Sequence, residues 1–276
     1  MGIKFITFGQ LPAVEITAPD GASAIVTLFG AHLVSWKPRD GREQMFCSAK
    51  AALDGSKAIR GGVPLIFPQF NQRGDGMRHG FARLSPWELL HGGAGNGGES
   101  AQFRLNSAGN YSAQWPFAFS LLYTVRIEDQ HLALTLAVNN LDTKPFSFST
   151  ALHSYLRIDD PASLAISGLQ SARYSESAKD TGIQTWPLLS NPGKIDRIYH
   201  DVGTDLEMTS GARRMALHLE GFNDVVIWNP GVTTDEIADL ASEEFREFIC
   251  IEPAVIEPYV LEPGTQWSGR HVLQCG

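Results

Sequence analysis

The sequence of 276 residues predicts an all-β fold, a large antiparallel β-sandwich with a few short helices, on three observations. Apolar side chains recur at every second position over long stretches; 27 Gly and 15 Pro punctuate the chain at short intervals; and few segments carry the 3.6-residue spacing of a helix. With 43% hydrophobic residues, a chain of this length removes roughly 70–75% of its unfolded surface from water, which supports a substantial core and excludes intrinsic disorder. No linker-like stretch forces a division, so residues 1–276 are expected to form one domain.

Taken in order, Ala24–Leu28 and His32–Trp36 read as short strands. The Gly-rich run Gly92–Gly98 lacks the Gly-Lys-Ser/Thr ending of a phosphate-binding loop and precedes no helical pattern, so it is expected to be a flexible surface turn. The clearest strand follows: Phe119, Leu121, Tyr123, Val125 and Ile127 share one face, while Ser120, Thr124 and Arg126 mostly fill the other. Leu132, Leu134, Leu136 and Val138 repeat the pattern, with Glu128-Asp129-Gln130 as a hairpin connection. Phe146–Thr150, Val225–Trp228 and Phe248–Ile251 add further strands. The spacing predicts one helix over Thr234–Phe245, where Thr233 or Thr234 offers a capping oxygen and Asp235-Glu236 suits the positive first turn.

The formal charge of −8 and pI near 5.5 speak against a general binder of nucleic acid or anionic membrane, since no long basic run would draw in a polyanion. Cys47, Cys250 and Cys275 are odd in number and far apart, which fits a reducing compartment better than a disulfide framework. No signal-like segment or apolar run of membrane-spanning length occurs, so a cytoplasmic protein is expected.

Four stretches depart from ordinary sandwich sequence. In Ile59-Arg60-Gly61-Gly62-Val63-Pro64 through Pro68-Gln69, the prolines exclude a regular central strand and the glycines permit close approach of backbone to a ligand. His79-Gly80-Phe81-Ala82-Arg83 follows. Lys57 to Arg83 holds five cations (Lys57, Arg60, Arg73, Arg78, Arg83) against Asp75 alone, a local +4 that leaves −12 for the rest of the chain. Arginine forks match phosphate or carboxylate, so an anionic small molecule is indicated; the alternative is solvated arginines paired with acids elsewhere. The third stretch is Leu152-His153-Ser154-Tyr155, the fourth Phe248-Ile249-Cys250-Ile251-Glu252-Pro253. Glu252 reads equally as a partly desolvated base or as half of a buried ion pair. An imidazole and a carboxylate make a general acid and base near neutral pH and need no nucleophile. No GxSxG motif is present, and Cys250 reads as a small buried hydrophobe. The histidines show neither HxH nor HExxH spacing, so no metal site is expected.

The ordered motifs Ile59–Pro64, His79–Arg83, Leu152-His153, Asp196–Tyr199, Val226–Pro230, Cys250–Glu252 and Leu261–Trp267 resemble those of the glucose-6-phosphate 1-epimerases, the hexose-6-phosphate mutarotase branch of the aldose 1-epimerase superfamily. The resemblance runs from about Gly30 to Leu273. It implies a galactose-mutarotase-like β-sandwich that interconverts sugar anomers without a cofactor. By that likeness, Glu252 takes the proton of the C1 hydroxyl and His153 protonates the ring oxygen. Arg60 and Arg83 hold the phosphate, Arg78 and His79 lie near the sugar, and Asp196 binds a ring hydroxyl. Two departures stand out: Arg78 occupies a position where such proteins often carry Gln, and Tyr174-Ser175-Glu176 lacks an expected aspartate.

A sugar phosphate is thus the expected partner, with the chain a monomer or weak homodimer. The rivals are an epimerase of a neutral sugar such as galactose, a noncatalytic sugar-binding sandwich using Trp228, Trp267 and the arginines, and a glycoside hydrolase built on Glu252 and Asp196.

Overall fold

In the computed structural model, which describes residues 2–95, 98–107, 115–176, 180–190 and 193–276 (the backbone alone at 234–236), antiparallel strands dominate. The expected hairpin forms from Phe119–Glu128 and His131–Asn140, turning at Asp129-Gln130, where Asp129 has a positive φ of 50°. Phe119, Leu121, Tyr123, Val125 and Ile127, with Leu132, Leu134, Leu136 and Val138, are all fully buried. These two strands sit in a nine-stranded sheet whose far edge is Glu88–Gly95. The chain's first four strands, from Gly2–Phe8 to His32–Lys37, make a meander of their own.

A third sheet carries the functional residues. Its spatial order is Thr181–Ile183, Arg173–Ser175, Ile195–His200, Asp224–Asn229, Phe248–Leu261, Phe146–Leu152 and Leu65–Ile66, with Tyr155–Arg157 also paired to Phe248–Leu261. Period-two alternation divides its side chains. Leu152, Leu156, Val225, Ile227, Ile249 and Ile251 enter the main hydrophobic cluster, which also takes side chains from the other two sheets. The opposite face carries Ile66, Ala151, Ile198, Val226 and Ala254 in a smaller apolar cluster of its own. Each Leu, Ile or Val buried in this way contributes about 1.5–3 kcal/mol.

Three expectations need correction. The helix over Thr234–Phe245 does not form; two 3-10 turns, Gly231–Glu236 and Glu244–Arg246, stand in its place. Long-range contacts override the local pattern here: Leu240 is buried in a cluster with Phe46, Tyr155, Phe248 and Cys250, and the Asn229 amide donates to the Phe245 and Phe248 carbonyls. Of the Gly-rich run, Gly92–Gly95 belongs to an exposed strand whose hairpin partner begins at Gly98; residues 96 and 97 lie outside the described residues. Gly61 and Gly62 admit other backbone rather than a ligand. A Cβ on Gly61 would meet the Phe46 carbonyl oxygen at 2.3 Å, and one on Gly62 the Leu33 carbonyl oxygen at 2.1 Å.

The strand to either side of that crossing is tied by His32, whose Nε2 lies 2.7 Å from the Gly61 carbonyl oxygen. Burial lowers the His32 pKa from 6.5 to about 4, and lowers that of His271, enclosed between the sheets, to about 3. Between these values and 6.5 the unfolded chain binds more protons than the fold, so stability is complete above about pH 6.5 and is lost as pH falls, by up to roughly 1.4 kcal/mol per pH unit for each histidine. The urea midpoint is therefore expected to drop steadily from pH 7 to pH 4.5, and His271→Leu to shallow that drop; equal slopes for the two proteins would contradict the assignment.

Candidate active site

The register of the third sheet lays its second face out in rows. One row runs Tyr155–Cys250–Trp228–Asp196, and the next runs Glu252–Val226–Ile198–Ser175. His153 falls between the Ala151↔Ala254 and Tyr155↔Cys250 pairs, at the position facing Glu252. A cleft of about 380 Å³ opens over these rows, and all seven residues singled out from the sequence line it: Arg60, Arg78, His79, Arg83, His153, Asp196 and Glu252.

His153 and Glu252 meet at the floor. Nδ1 of His153 lies 3.2 Å from Oε1 of Glu252, and the side chains are 12% and 2% exposed. The contact lacks hydrogen-bond geometry, and both Nδ1 of His153 and Oε2 of Glu252 are buried without a partner. The imidazole stacks on Tyr155 at 4.8 Å with planes 6° apart, and Trp228 meets its edge at 6.0 Å, so its plane is fixed. Burial, with help from Asp196, holds the Glu252 carboxyl well above the usual carboxylate range. Burial, then His79, Arg60 and Arg83, push the imidazole well below its ordinary value. Both directions favour a neutral pair over an ion pair.

The cations divide into two kinds. Arg60 is already engaged: its Nε and Nη2 each lie 3.0 Å from Asp239 Oδ1, and Nη1 donates to the Tyr155 hydroxyl at 2.9 Å. Burial pulls its pKa down, but Tyr155 and Asp239 more than offset this. Arg73 faces Glu257 at 3.7 Å, so for these two the reading of arginines paired with acids was right. Arg83 has no carboxylate within ion-pairing distance among the described residues: Nη2 donates to the Arg78 carbonyl at 2.9 Å, and Nε is buried without a partner. Burial, then Arg60 and Arg78 against an opposing pull from Tyr155, lower its pKa to about 10. Arg78, exposed at the rim, donates from Nε to Asn71 Oδ1 at 3.0 Å.

The loop between them is built for rigidity. Gln69 bridges it, donating to the Asn71 and Gly76 carbonyls and accepting from the Gly76 amide. His79 and Gly80 take positive φ values of 62° and 64°, and a Cβ on Gly80 would meet the Phe67 carbonyl oxygen at 2.0 Å. The Asn71 amide approaches His79 Nδ1 at 3.3 Å, which places the His79 proton on Nε2. Burial and the three nearby arginines lower its pKa to about 3, so it is a neutral donor at physiological pH. Asp196 stands at the exposed end of its row; partial desolvation raises its pKa against the pull of Arg78. The missing aspartate near Tyr174 is replaced by Glu176, which pairs with Arg197, and that guanidinium lies 4.2 Å from the Tyr174 ring centroid.

Three contributors were missed. Tyr155 was signalled by its place two residues from His153 on the same sheet face, whereas Asp239 lies 179 residues from Arg60 and inside the expected helix, with no local signal. Ser175, quoted only for its neighbours, also lines the cleft. As for metals, His153, Cys250 and Glu252 bring donor atoms within 4.8 Å of one another. Burial, then Glu252, push the Cys250 thiol well above its ordinary pKa, so it is neither a ready thiolate ligand nor a nucleophile.

The β-sandwich is of the galactose-mutarotase-like class. A galactose mutarotase-like protein from Clostridium acetobutylicum shares the fold, with TM-score 0.80 at 14% identity over 99% of this chain and 98% of that one. Residues 12–274 match the aldose 1-epimerase family, and the chain belongs to that family. A protein of Escherichia coli K12 bearing the provisional name glucose-6-phosphate 1-epimerase is 30% identical, over 89% of this chain and 83% of its own. One of Cenchrus ciliaris with the same provisional name is 28% identical over 96% and 85%. A solved structure from Salmonella typhimurium, provisionally named a mutarotase, gives TM-score 0.90 at 26% identity, covering 100% of this chain and 94% of that one.

The unpaired Arg83 generates a prediction. Removing a half-buried cation that has no ion-pair partner among the described residues eases a desolvation cost, so Arg83→Met is expected to keep or raise the melting temperature while weakening a sugar phosphate by roughly 10- to 100-fold, the loss of a charged hydrogen bond of about 1.5–3 kcal/mol. Calorimetry with glucose 6-phosphate and glucose checks this; a fall in stability with unchanged phosphate affinity would assign Arg83 a structural role.

Proposed function

We propose that residues 1–276 work as one domain that interconverts the α and β anomers of a hexose 6-phosphate, glucose 6-phosphate foremost, without a cofactor. The observation that carries this reading is the unpartnered His153–Glu252 pair on the cleft floor beside the uncompensated Arg83. Glu252 accepts the proton of the C1 hydroxyl, the O–H electrons form the C1 carbonyl, the C1–O5 bond breaks, and O5 takes a proton from His153. Rotation about C1–C2 turns the other carbonyl face to O5. Reclosure returns the proton from Glu252 to O1 while His153 recovers its own. Arg60, Arg78 and Arg83 receive the phosphate, His79 donates to the sugar from Nε2, and Asp196 accepts from a ring hydroxyl. Action in the cytoplasm fits the free cysteines and the lack of a membrane-spanning helix among the described residues, and the protein works as a monomer or weak homodimer.

The phosphate completes the chemistry as well as the binding. Arg60 and Arg83 depress the His153 pKa but are not among the causes acting on Glu252. A phosphate dianion on those arginines therefore relieves His153 selectively and moves the pair toward the ionised state that the reaction requires. A neutral hexose is the second reading, favoured by Arg60 having its charge already offset by Asp239.

Magnetisation-exchange NMR at low buffer concentration is expected to show anomer exchange of glucose 6-phosphate well above the spontaneous rate. Glu252→Gln, which keeps the shape but removes the acceptor, should lower turnover by about 10²- to 10⁴-fold with binding retained; near-normal turnover would mean that another base operates. Because phosphate raises the His153 pKa, activity on glucose 6-phosphate should persist to higher pH than activity on glucose. Coincident alkaline limbs would refute the coupling.

A further inference from the structure

Beyond the acid–base pair, Ser175 on the cleft wall ends a second chain of polar groups, which reaches back to His200 and Asp224 outside the cleft lining and which the mechanism above does not use. Ser175 Oγ lies 2.9 Å from His200 Nε2, and His200 Nδ1 lies 3.3 Å from Asp224 Oδ1. The second Asp224 oxygen accepts the Ile256 amide at 2.9 Å, which fixes the carboxylate in the sheet. The three residues come from adjacent strands, Arg173–Ser175, Ile195–His200 and Asp224–Asn229. Their order sets the direction of every proton. A carboxylate can only accept, so in the neutral tautomer that this chain selects the proton sits on Nδ1; Nε2 then presents a lone pair, and the Ser175 hydroxyl donates to it. What Ser175 shows to the cleft is lone pairs alone.

Position gives this acceptor a partner. Ser175 ends the row Glu252–Val226–Ile198–Ser175, three strand spacings or about 14 Å from Glu252 between Cα atoms. A hexose ring about 5 Å across with a hydrogen bond of about 2.8 Å at each end covers about 11 Å, and the serine and glutamate side chains can take up the difference. Val226 and Ile198 supply an apolar floor between the two ends. Resting on the function proposed above, we infer that Ser175, oriented by His200 and Asp224, is a hydroxyl-recognising subsite that accepts a hydrogen bond from the ring hydroxyl on C3 or C4, across the ring from C1. Ser175 touches the substrate; His200 and Asp224 are positioning residues that keep its oxygen an acceptor.

The test pairs variants with deoxy sugars. Calorimetric dissociation constants are measured for glucose 6-phosphate and its 3-deoxy and 4-deoxy analogues, with anomer exchange followed by NMR on the same samples. Ser175→Ala is expected to weaken glucose 6-phosphate about five- to tenfold, as for one neutral hydrogen bond. The analogue lacking the recognised hydroxyl should bind wild type and Ser175→Ala alike, and the other analogue should show the full loss. Ser175→Thr, which keeps the oxygen, should restore the discrimination. His200→Phe should erode it on the same analogue, which a merely structural role would not single out. Equal losses for every sugar, or none, would overturn the subsite. If exchange is fast in wild type while Ser175→Ala is indifferent to the deoxy series, the subsite falls and the catalytic reading stands. If the deoxy pattern appears without accelerated exchange, the catalytic reading falls and the subsite stands.

Discussion

The site depends on one strand, Phe248–Leu261, running through the interior of a sheet with both faces in use. Its alternation sends Ile249 and Ile251 into the main core, and on the other face buries Cys250 in a smaller apolar cluster and brings Glu252 to the cleft. A slip of one residue would exchange these sets and place a carboxylate in the main core, so the hydrophobic pattern that fixes the fold also fixes the position of Glu252. The same register brings His153 opposite it from a break between two ladders. Because Glu252 is 1% exposed, its charge is expensive, and the raised pKa expresses that cost.

Around this pair the cleft separates donors from acceptors. Arg60, Arg78, Arg83 and the Nε2–H of His79 gather on the segment from residue 57 to 83, while Asp196 and Ser175 close the rows at the other end of the sheet. A ligand with an anionic group at one end and hydroxyls at the other matches this division, and a symmetric or uniformly charged one does not. Of the local +4 in a chain of net −8, Asp239 and Glu257 offset Arg60 and Arg73, so the attraction for an anion rests on Lys57, Arg78 and Arg83.

The strands were legible because each face alternates cleanly; Phe119–Ile127 and Leu132–Val138 announce their buried sides residue by residue. The site residues were legible because they sit where Gly and Pro interrupt that alternation, or where an apolar run ends in a charge. The 3-10 turns were not, since Leu240 and Asn229 act through partners that no local window contains. For the same reason the sequence made Arg60 and Arg83 equivalent. Only the fold shows that Asp239 forms an ion pair with one, while no carboxylate among the described residues lies within ion-pairing distance of the other.

Buried polar atoms without partners separate into two kinds by location. The Tyr123 hydroxyl and both ring nitrogens of His271 lie between the sheets, where each carries a desolvation cost of about 1–3 kcal/mol that no ligand can reach. The Nδ1 of His153, the Oε2 of Glu252 and the Nε of Arg83 carry comparable costs but belong to side chains that line the cleft, so a small side-chain rotation can turn them toward an incoming oxygen. The hydroxyls, ring oxygen and phosphate of a sugar phosphate can satisfy all three at once. Binding then recovers a cost already present in the folded protein, so affinity for the ligand and stability of the cleft sheet are linked through the same three atoms.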